Sequence, residues 1–272
     1  MKTTGKIWMG LITASLLFTG CDELENLCGI SDDDYAIGES FVEATGGFID
    51  IVNRVDVAMR DSVLLATGMN NIDGANCVLT ADSVIIDFGS TNVGTTNGDR
   101  RGKIKAGYTG DYLVNGTVGI ATENYFYNDV EITGALGLEN IGNTSLELTC
   151  TNLGVGQEIT FSSTMTMLWT SGYNTVYDLT DDSYELSGTS SASAVANNNA
   201  FAATINPPLK YDRTCQYGVT EGVASLTLTG DSIATANLGV DFLSSDACNN
   251  IFKISADCDG NAVSVTRSFD GF

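Results

Sequence analysis

The sequence predicts a mainly β protein: an antiparallel meander of about a dozen strands, curled into a sandwich or a roll, with one N-terminal helix packed on it. Three observations predict this class. One segment near the N-terminus has apolar residues at helical spacing, the chain from Cys77 onward alternates apolar and polar residues, and turn-forming dipeptides separate the alternating runs. A sheet of this size does not stay flat, because twisted open sheets of more than about ten strands curl or fold over.

The predicted helix covers residues 40–65. Its apolar residues recur at steps of three and four and form one face: Phe41, Ala44, Phe48, Ile51, Val52, Val55, Ala58 and Met59. Ser40 and Glu43 have the spacing of a capping box, which favours a start at Ser40. The pair Gly46-Gly47 favours a later start, because each glycine destabilises a helix by about 1 kcal/mol relative to alanine. Gly68 is typical of a helix C-terminus.

The strand pattern is clearest from Ile159 to Trp169, where apolar residues alternate with Thr and Ser. Further strands are predicted at 84–88, 103–109, 117–122, 124–133, 145–151, 184–189, 201–205, 210–214, 224–229, 233–238, 251–256 and 262–266. Hairpin turns are predicted at Asn97-Gly98, Asn115-Gly116, Gly230-Asp231 and Asp259-Gly260. These short connections make consecutive strands antiparallel neighbours. Pro207-Pro208 interrupts the pattern and predicts an edge or a corner of the sheet.

The composition limits the function. The chain has 12 Lys and Arg against 34 Asp and Glu, a formal net charge of -22, so no nucleic-acid partner is expected. It contains no histidine, which removes Ser-His-Asp and Cys-His catalysis and His-ligated zinc or haem. Serine-hydrolase, phosphate-loop and dinucleotide motifs are also missing from the sequence. The protein is therefore predicted not to be an enzyme, with a hydrolase that uses two carboxylates as the alternative.

Residues 1–20 have the pattern of an export signal, with a positive end and an apolar stretch of about 12 residues, shorter than the roughly 20 that span a bilayer. The stretch ends in Leu17-Phe18-Thr19-Gly20-Cys21, which resembles a bacterial lipobox. This resemblance implies that Cys21 is lipidated and becomes the N-terminus, so a membrane partner is expected through the lipid anchor. A plain secretory signal is the alternative.

The predicted domain organisation has three parts: a signal peptide at 1–20, an acidic tether at 21–39, and a single β-rich domain with its N-terminal helix at 40–272. An acidic run directly after the lipid cysteine is similar to the surface-export signal of Bacteroidetes-type lipoproteins. By contrast, Asp22 in the second position resembles the inner-membrane retention signal of enteric bacteria. The first resemblance is favoured, and it implies an outer-membrane protein that is lipid-anchored and exposed at the cell surface.

The chain has seven cysteines, and without Cys21 six remain, an even number that predicts disulfides in an exported protein: Cys28, Cys77, Cys150, Cys215, Cys248 and Cys258. Their spacing does not determine the connectivity and does not match a metal site. Pairing is expected within the last three, where one bridge would contribute about 3–4 kcal/mol by restricting the unfolded chain. Free buried thiols are the alternative for some of the six.

Four basic residues fall within six positions: Arg100, Arg101, Lys103 and Lys105. This cluster is a candidate docking point for an anionic partner of the envelope: an acidic protein, an anionic polysaccharide or the phosphate of lipopolysaccharide. The alternative is that Lys103 and Lys105 form the polar face of a strand, opposite Ile104, and pair with neighbouring acids.

Two acidic segments are candidates for binding calcium, the only cofactor that the sequence suggests. Asp257 to Asn261 offers oxygen ligands, but Ala262 and Ser268 stand where an EF-hand needs Gly and Glu. A hairpin turn explains the same residues. Asp178, Asp181 and Asp182 form a second cluster of equal ambiguity, and no metal site is predicted.

Aromatic and hydroxyl residues suggest two further sites. Tyr125 and Tyr127, which flank Phe126, are candidates for contact with a glycan. The alternation of Trp169 with methionines predicts a place in the core. Asp231-Ser232-Ile233 resembles the acceptor triplet for O-glycosylation in Bacteroidetes, which makes Ser232 a candidate for modification.

Several segments occur in an order that supports a wider resemblance: Ile85–Gly89, Arg100–Ile104, Tyr108–Tyr112, Trp169, Tyr184–Gly188 and Arg213–Cys215. In this order they resemble an uncharacterised family of β-rich cell-surface lipoproteins of Bacteroidetes-type bacteria, over about residues 75 to 268. Members often carry a cysteine shortly after the first Asp-Phe-Gly, which residues 90–98 lack. The resemblance supports the location and the fold and implies no catalytic residue. The expected function is a lipid-anchored surface protein with a structural, adhesive or interaction role. The alternative is a glycan-binding accessory lipoprotein of an outer-membrane uptake system.

Overall fold

The computed structural model describes residues 32–268, except 96–97, 143, 158, 195–198, 216–217, 231–235, 244–247, 249–250 and 259–260. Within the described residues, two α-helices, α1 (Asp32–Arg60) and α2 (Ser62–Thr67), precede the strands, and a 3-10 helix covers Leu179–Asp181. The strands are β1 (Met69–Ile72), β2 (Ala75–Leu79), β3 (Ser83–Thr95), β4 (Gly98–Thr109), β5 (Thr117–Tyr127), β6 (Val130–Thr133), β7 (Ala135–Gly142), β8 (Ser145–Val155), β9 (Ile159–Ser171), β10 (Ser183–Ala194), β11 (Ala200–Asp212), β12 (Val219–Thr229), β13 (Ala236–Phe242), β14 (Ile251–Cys258) and β15 (Asn261–Ser268).

The fifteen described strands belong to one sheet, in which every pairing is antiparallel and, apart from β6 and β7, each strand pairs with its neighbours along the chain. β6 and β7 both lie between β5 and β8, so they are two parts of one sheet position, broken at Gly134. The predicted antiparallel meander with an N-terminal helix is therefore confirmed. Neither of the described α-helices combines the length and the apolar character needed to cross a membrane.

Helix α1 lies inside the curled sheet. Every residue from 44 to 56 is buried, whereas a helix that only covers a sheet buries one face. Contacts to α1 come from β3, β4, β8, β9 and β12, which are spread over most of the sheet. Phe48, for example, packs against Phe161 with ring centroids 6.1 Å apart. The sheet is thus a roll around the helix, which is one of the two shapes predicted.

Helix α1 starts earlier than predicted. It begins at Asp32, so residues 32–39 of the predicted tether are helical, with Asp34 and Tyr35 buried. The helix also does not begin after Gly46 and Gly47 but runs through both, and the missing side chain of Gly47 lets it approach the sheet. A Cβ on Gly47 would lie 2.5 Å from Cδ1 of Ile132. Packing against the sheet therefore outweighs the low helix propensity of glycine.

The end of the helical region agrees with the prediction. Asp61 separates the two helices and caps α2, with its Oδ1 accepting a hydrogen bond of 2.6 Å from the Leu64 amide. Gly68 ends α2 in the left-handed conformation, at φ 79°.

The strand bounds differ from prediction in several places. The sequence pattern did not indicate β1, β2 and β7, because short or glycine-rich runs carry little alternation. The predicted strand 124–133 is divided between β5 and β6, and the predicted strands 201–205 and 210–214 form one strand, β11. Residues 233–235 of the predicted strand 233–238 lie outside the described residues, and residues 236–238 belong to β13.

The sheet curves because several strands contain β-bulges. The pairing register shifts beside Gly102 in β4, beside Gly188 in β10 and at Pro207-Pro208 in β11. Each such shift places one or two extra residues on one of the two paired strands and bends it. The two prolines lie in a strand that is paired on both sides, so they mark a corner and not an edge.

Candidate functional site

The second half of helix α1 carries four charged residues into the interior of the roll: Asp50, Arg54, Asp56 and Arg60. All four are buried, with at most 8% of the residue exposed. They face partners on the surrounding strands and loops and form two clusters of ion pairs.

The first cluster is centred on Asp50. Nη2 of Arg100 lies 2.5 Å from Asp50 Oδ1, and the hydroxyl of Tyr125 donates a hydrogen bond to Oδ2 of the same carboxylate. Arg54 approaches Asp50 on one side and pairs with Asp73 on the other. Burial acts to raise the pKa of Asp50, but Arg100 and Arg54 together outweigh it and hold that pKa below its ordinary value.

The second cluster joins Asp56 and Asp182 through two arginines. Nη1 of Arg60 lies 3.1 Å from Asp56 and 2.6 Å from Asp182, and Arg213 contacts both carboxylates from the end of β11. Tyr112 donates a hydrogen bond of 2.7 Å to Asp56. Burial acts to raise the pKa of Asp56, but Arg213, Arg60 and Tyr112 lower it overall.

These clusters connect the helix to the sheet. The carboxylates Asp50 and Asp56 are held ionised, so neither is suited to donate a proton as a general acid near neutral pH. The sequence analysis did not predict the buried ion pairs of α1, although four charged residues within a largely apolar helical segment indicated them. That signal was ambiguous because exposed helix faces also carry charges at this spacing.

The outer face of the roll carries a groove of about 520 Å³ across β3, β4 and β5. Its walls include charged and polar side chains and one aromatic ring: Asp87, Ser90, Arg101, Lys103, Glu123, Asn124 and Phe126. We call it the outer groove. A bulge produces its concave shape, because Gly102 (φ 86°) and Asn124 (φ 47°) both have left-handed backbones at the point where β4 and β5 shift register.

The charges of the outer groove are paired. Lys103 lies 3.1 Å from Asp87, Arg101 lies 2.5 Å from Asp129, and Lys105 beside the groove lies 2.5 Å from Glu123. The guanidinium of Arg101 also stacks on Phe126, 3.7 Å from the ring centroid. The hydrogen bond from Lys105 lowers the pKa of Glu123, and the one to Asp87 raises the pKa of Lys103. The surface is therefore polar but locally neutral.

This geometry contradicts the predicted contact between the cluster of four basic residues and an anionic partner. Arg100 is fully buried against Asp50, with its guanidinium 4.8 Å from the centre of the Tyr127 ring, so it cannot contact a partner. Arg101, Lys103 and Lys105 lie on the outer face and are paired with acids. The alternative interpretation of Lys103 and Lys105, as a polar strand face paired with neighbouring acids, is confirmed.

The predicted glycan contacts are wrong as well. Tyr125 is 0% exposed and Tyr127 is 4% exposed, and both point into the roll. Up to Ile120, even-numbered residues of β5 face inward, and the left-handed residue Asn124 then reverses this alternation. Phe126 is consequently the aromatic residue that faces the outer groove.

The cysteines follow the prediction in part. Cys215 and Cys248 are at disulfide distance, with their Cα atoms 5.0 Å apart, within the set of three where pairing was expected. Cys77 and Cys150 are free and buried, and burial raises the pKa of the Cys77 thiol to about 11 and that of Cys150 to about 12. Thiols with such pKa values are unreactive at neutral pH. Cys28 and the side chain of Cys258 lie outside the described residues.

The remaining predicted sites divide into two groups. Cys21, Ser232 and the centre of the Asp257–Asn261 segment lie outside the described residues. Asp178, Asp181 and Asp182 are described but act separately: Asp178 accepts hydrogen bonds from Thr180, Asp181 accepts one from Thr175, and Asp182 is buried in the second cluster. Over the part of the chain that the structure describes, no group of three acidic or cysteine side chains is arranged to hold a metal ion.

Trp169 is half-buried. It stacks on Tyr184 with ring centroids 6.0 Å apart and donates a hydrogen bond of 3.0 Å from Nε1 to Asp182. It packs against the core and is not one of its buried members, so its predicted place in the core is met only in part, and its polar edge belongs to the second cluster.

The fold and its site define a class of architecture: one antiparallel sheet rolled around a buried, ion-paired helix. No protein-family model, curated protein or solved structure matches this chain.

Proposed function

We propose that this protein is a lipid-anchored protein of the bacterial outer membrane that acts at the cell surface through non-covalent interaction. The sequence before the described residues supports the anchor, since it carries the lipobox-like segment that ends in Cys21. The observation that supports the interaction role is that the charged side chains inside the roll are paired with one another. The roll uses its buried arginines and aspartates to connect helix to sheet, which produces a rigid body.

The anchor is tested by replacing Cys21. The variant Cys21→Ala is expected to leave the membrane fraction, because the lipid would be its attachment to the bilayer. Fractionation and mass spectrometry of the N-terminal peptide measure this, with Lys105→Gln as a surface control that stays membrane-bound. Unchanged membrane attachment of Cys21→Ala, or an unmodified Cys21 in the wild type, contradicts the proposal.

A second candidate function is binding of a neutral glycan in the outer groove. The specific observation is the combination of a half-exposed aromatic ring with planar polar groups in a concave surface, at Phe126, Asn124 and Asp87. An aromatic ring stacks on the apolar face of a sugar, and amides and carboxylates bond its hydroxyls. Because each lysine and arginine here is already paired, the outer groove is better matched to an uncharged ligand than to an anionic one.

This candidate is tested on a glycan array with the soluble Cys21→Ala protein. Binding is expected to weaken at least about tenfold in Phe126→Ala, the loss of roughly 1.4 kcal/mol typical of a stacking contact. Tyr177→Ala removes an aromatic ring that is 63% exposed outside the outer groove, and it serves as the matched control. A silent array, or equal binding by both variants, contradicts glycan binding in the outer groove.

A further inference from the structure

A separate cleft of about 250 Å³ lies where the second half of α1 meets the end of β11. Its walls include two arginines, Arg54 and Arg213, the amide of Asn53 and the exposed residues Thr180 and Thr214. Asp73, in the turn between β1 and β2, completes the rim. We call it the arginine cleft. It contacts the buried ion pairs and lies apart from the outer groove, with which it shares no residue.

Each arginine of the arginine cleft has hydrogen-bonding capacity left over. Arg54 donates from Nη1 to Asp73, and Arg213 donates from Nη2 to Asp56 and, at 3.5 Å, to Tyr184. Their Nε atoms face the interior, 3.7 Å from Asp50 and 3.5 Å from Asp182. Within the described chain, Arg54 Nη2 and Arg213 Nη1 make no hydrogen bond, and neither belongs to the fully buried atoms without a partner.

The two free guanidinium nitrogens therefore reach open space. Each side chain is only 8% exposed, and both arginines line the arginine cleft. A guanidinium that is nine-tenths buried and keeps free N–H groups in a cleft is a strong donor to an oxyanion, because its planar fork matches two acceptor oxygens.

Asn53 adds an independent observation. Its side chain is 9% exposed, its Nδ2 donates to the hydroxyl of Tyr211 at 2.8 Å, and its Oδ1 has no hydrogen-bond partner. A buried amide oxygen without a partner is unfavourable by about 1–3 kcal/mol and calls for a donor from water or a ligand. Asn53 is one of the residues that line the same cleft as the two arginines.

We propose that the arginine cleft binds a small oxyanion, a carboxylate or phosphate group, between the free nitrogens of Arg54 and Arg213. Asp73 is the competing ligand, because its carboxylate already holds Arg54 at 2.7 Å and is 27% exposed at the rim. An oxyanion that enters the cleft displaces the carboxylate of Asp73 from the guanidinium of Arg54.

The net charge of -22 does not prevent such binding. At 0.15 M salt the screening length is about 8 Å, so distant surface acids contribute little repulsion inside a cleft. Direct contact with two guanidinium groups acts at hydrogen-bond distance and is screened much less.

The sharpest test is Asp73→Asn. It removes the competing negative charge but keeps the turn, because Asp73 has φ 48° and asparagine tolerates that left-handed conformation well. Isothermal titration calorimetry with inorganic phosphate and with succinate at fixed ionic strength measures binding to the soluble Cys21→Ala protein, with chloride as the reference anion. We expect saturable binding of at least one oxyanion, tightened about tenfold by Asp73→Asn.

Two charge insertions at the rim complete the test. Thr214→Glu and Thr180→Glu place a carboxylate beside the arginine cleft and are expected to weaken oxyanion binding about tenfold. Thr189→Glu adds the same charge at an exposed position of β10, away from the cleft, and should leave the affinity for the oxyanion unchanged. Binding by succinate alone identifies a carboxylate site, and binding by phosphate alone a phosphate site. No binding of either beyond the chloride reference, or equal affinity in wild type and Asp73→Asn, overturns the proposal.

Discussion

Replacing Arg100 with methionine is expected to lower the free energy of unfolding by about 3–5 kcal/mol, because it leaves the Asp50 carboxylate charged in the interior of the roll. Asp50 keeps only the more distant Arg54 and the hydroxyl of Tyr125 as partners. Urea denaturation followed by circular dichroism measures the loss. The large size of the effect reflects burial, since both side chains are at most 2% exposed.

The matched control lies in the same strand. Lys105→Met breaks the ion pair with Glu123, in which both side chains are about half exposed, and is expected to change stability by less than about 1 kcal/mol. The double variant Asp50→Asn with Arg100→Met carries no unpaired buried charge and should be more stable than Arg100→Met alone. Equal effects of Arg100→Met and Lys105→Met would show that Arg100 is not the buried partner of Asp50.

The second large effect is expected at Gly102. The variant Gly102→Ala should lose about 3 kcal/mol of stability, because alanine is strained at φ 86° and its Cβ would overlap the carbonyl oxygen of Asn124. Relief of this overlap requires β4 and β5 to move apart at the bulge that bends them. Thermal unfolding and the urea midpoint both report this loss.

Gly119→Ala is the control for Gly102→Ala. Gly119 lies in β5, in the same strand pair, without a left-handed backbone, and a Cβ there would meet no atom within 4 Å. Its replacement should change stability by less than about 0.5 kcal/mol. If Gly102→Ala is tolerated as well as Gly119→Ala, then the bulge between β4 and β5 is not required for the curvature of the roll.

The alternation of apolar and polar residues predicted most of the strands and their antiparallel order, because in a sheet with one buried face every second side chain is apolar. On β4 the same alternation also indicates the position of Arg100, which shares the inward face with Ile104 and Ala106. A charge on an apolar face is a weak signal in sequence, since its partner Asp50 lies fifty residues away on α1. The pairing becomes visible when the sheet closes around the helix.

The tyrosines of β5 show a second reason why alternation in the sequence does not always predict which face a side chain lies on. Continued alternation from Ile120 would place residues 125 and 127 on the outer face, and only the left-handed Asn124 turns them inward. Asparagine adopts that conformation at few of its positions, so the reversal could not be read from residue type. Because of this one bulge, Phe126 faces the outer groove, and the predicted glycan contacts Tyr125 and Tyr127 face the interior.

The sequence by itself determined the local features: most of the strand pattern, the helical region that ends at Gly68, and the net charge, all of which depend on residue types or on residues near one another in the chain. Only the tertiary structure decided how far the helix extends, which faces carry Arg100 and the tyrosines, and which aspartate meets which arginine. Those features depend on contacts between residues far apart in sequence and on the curvature of one continuous sheet. Curvature arises from bulges at a few residues, and a shift of one residue reverses every side chain that follows it.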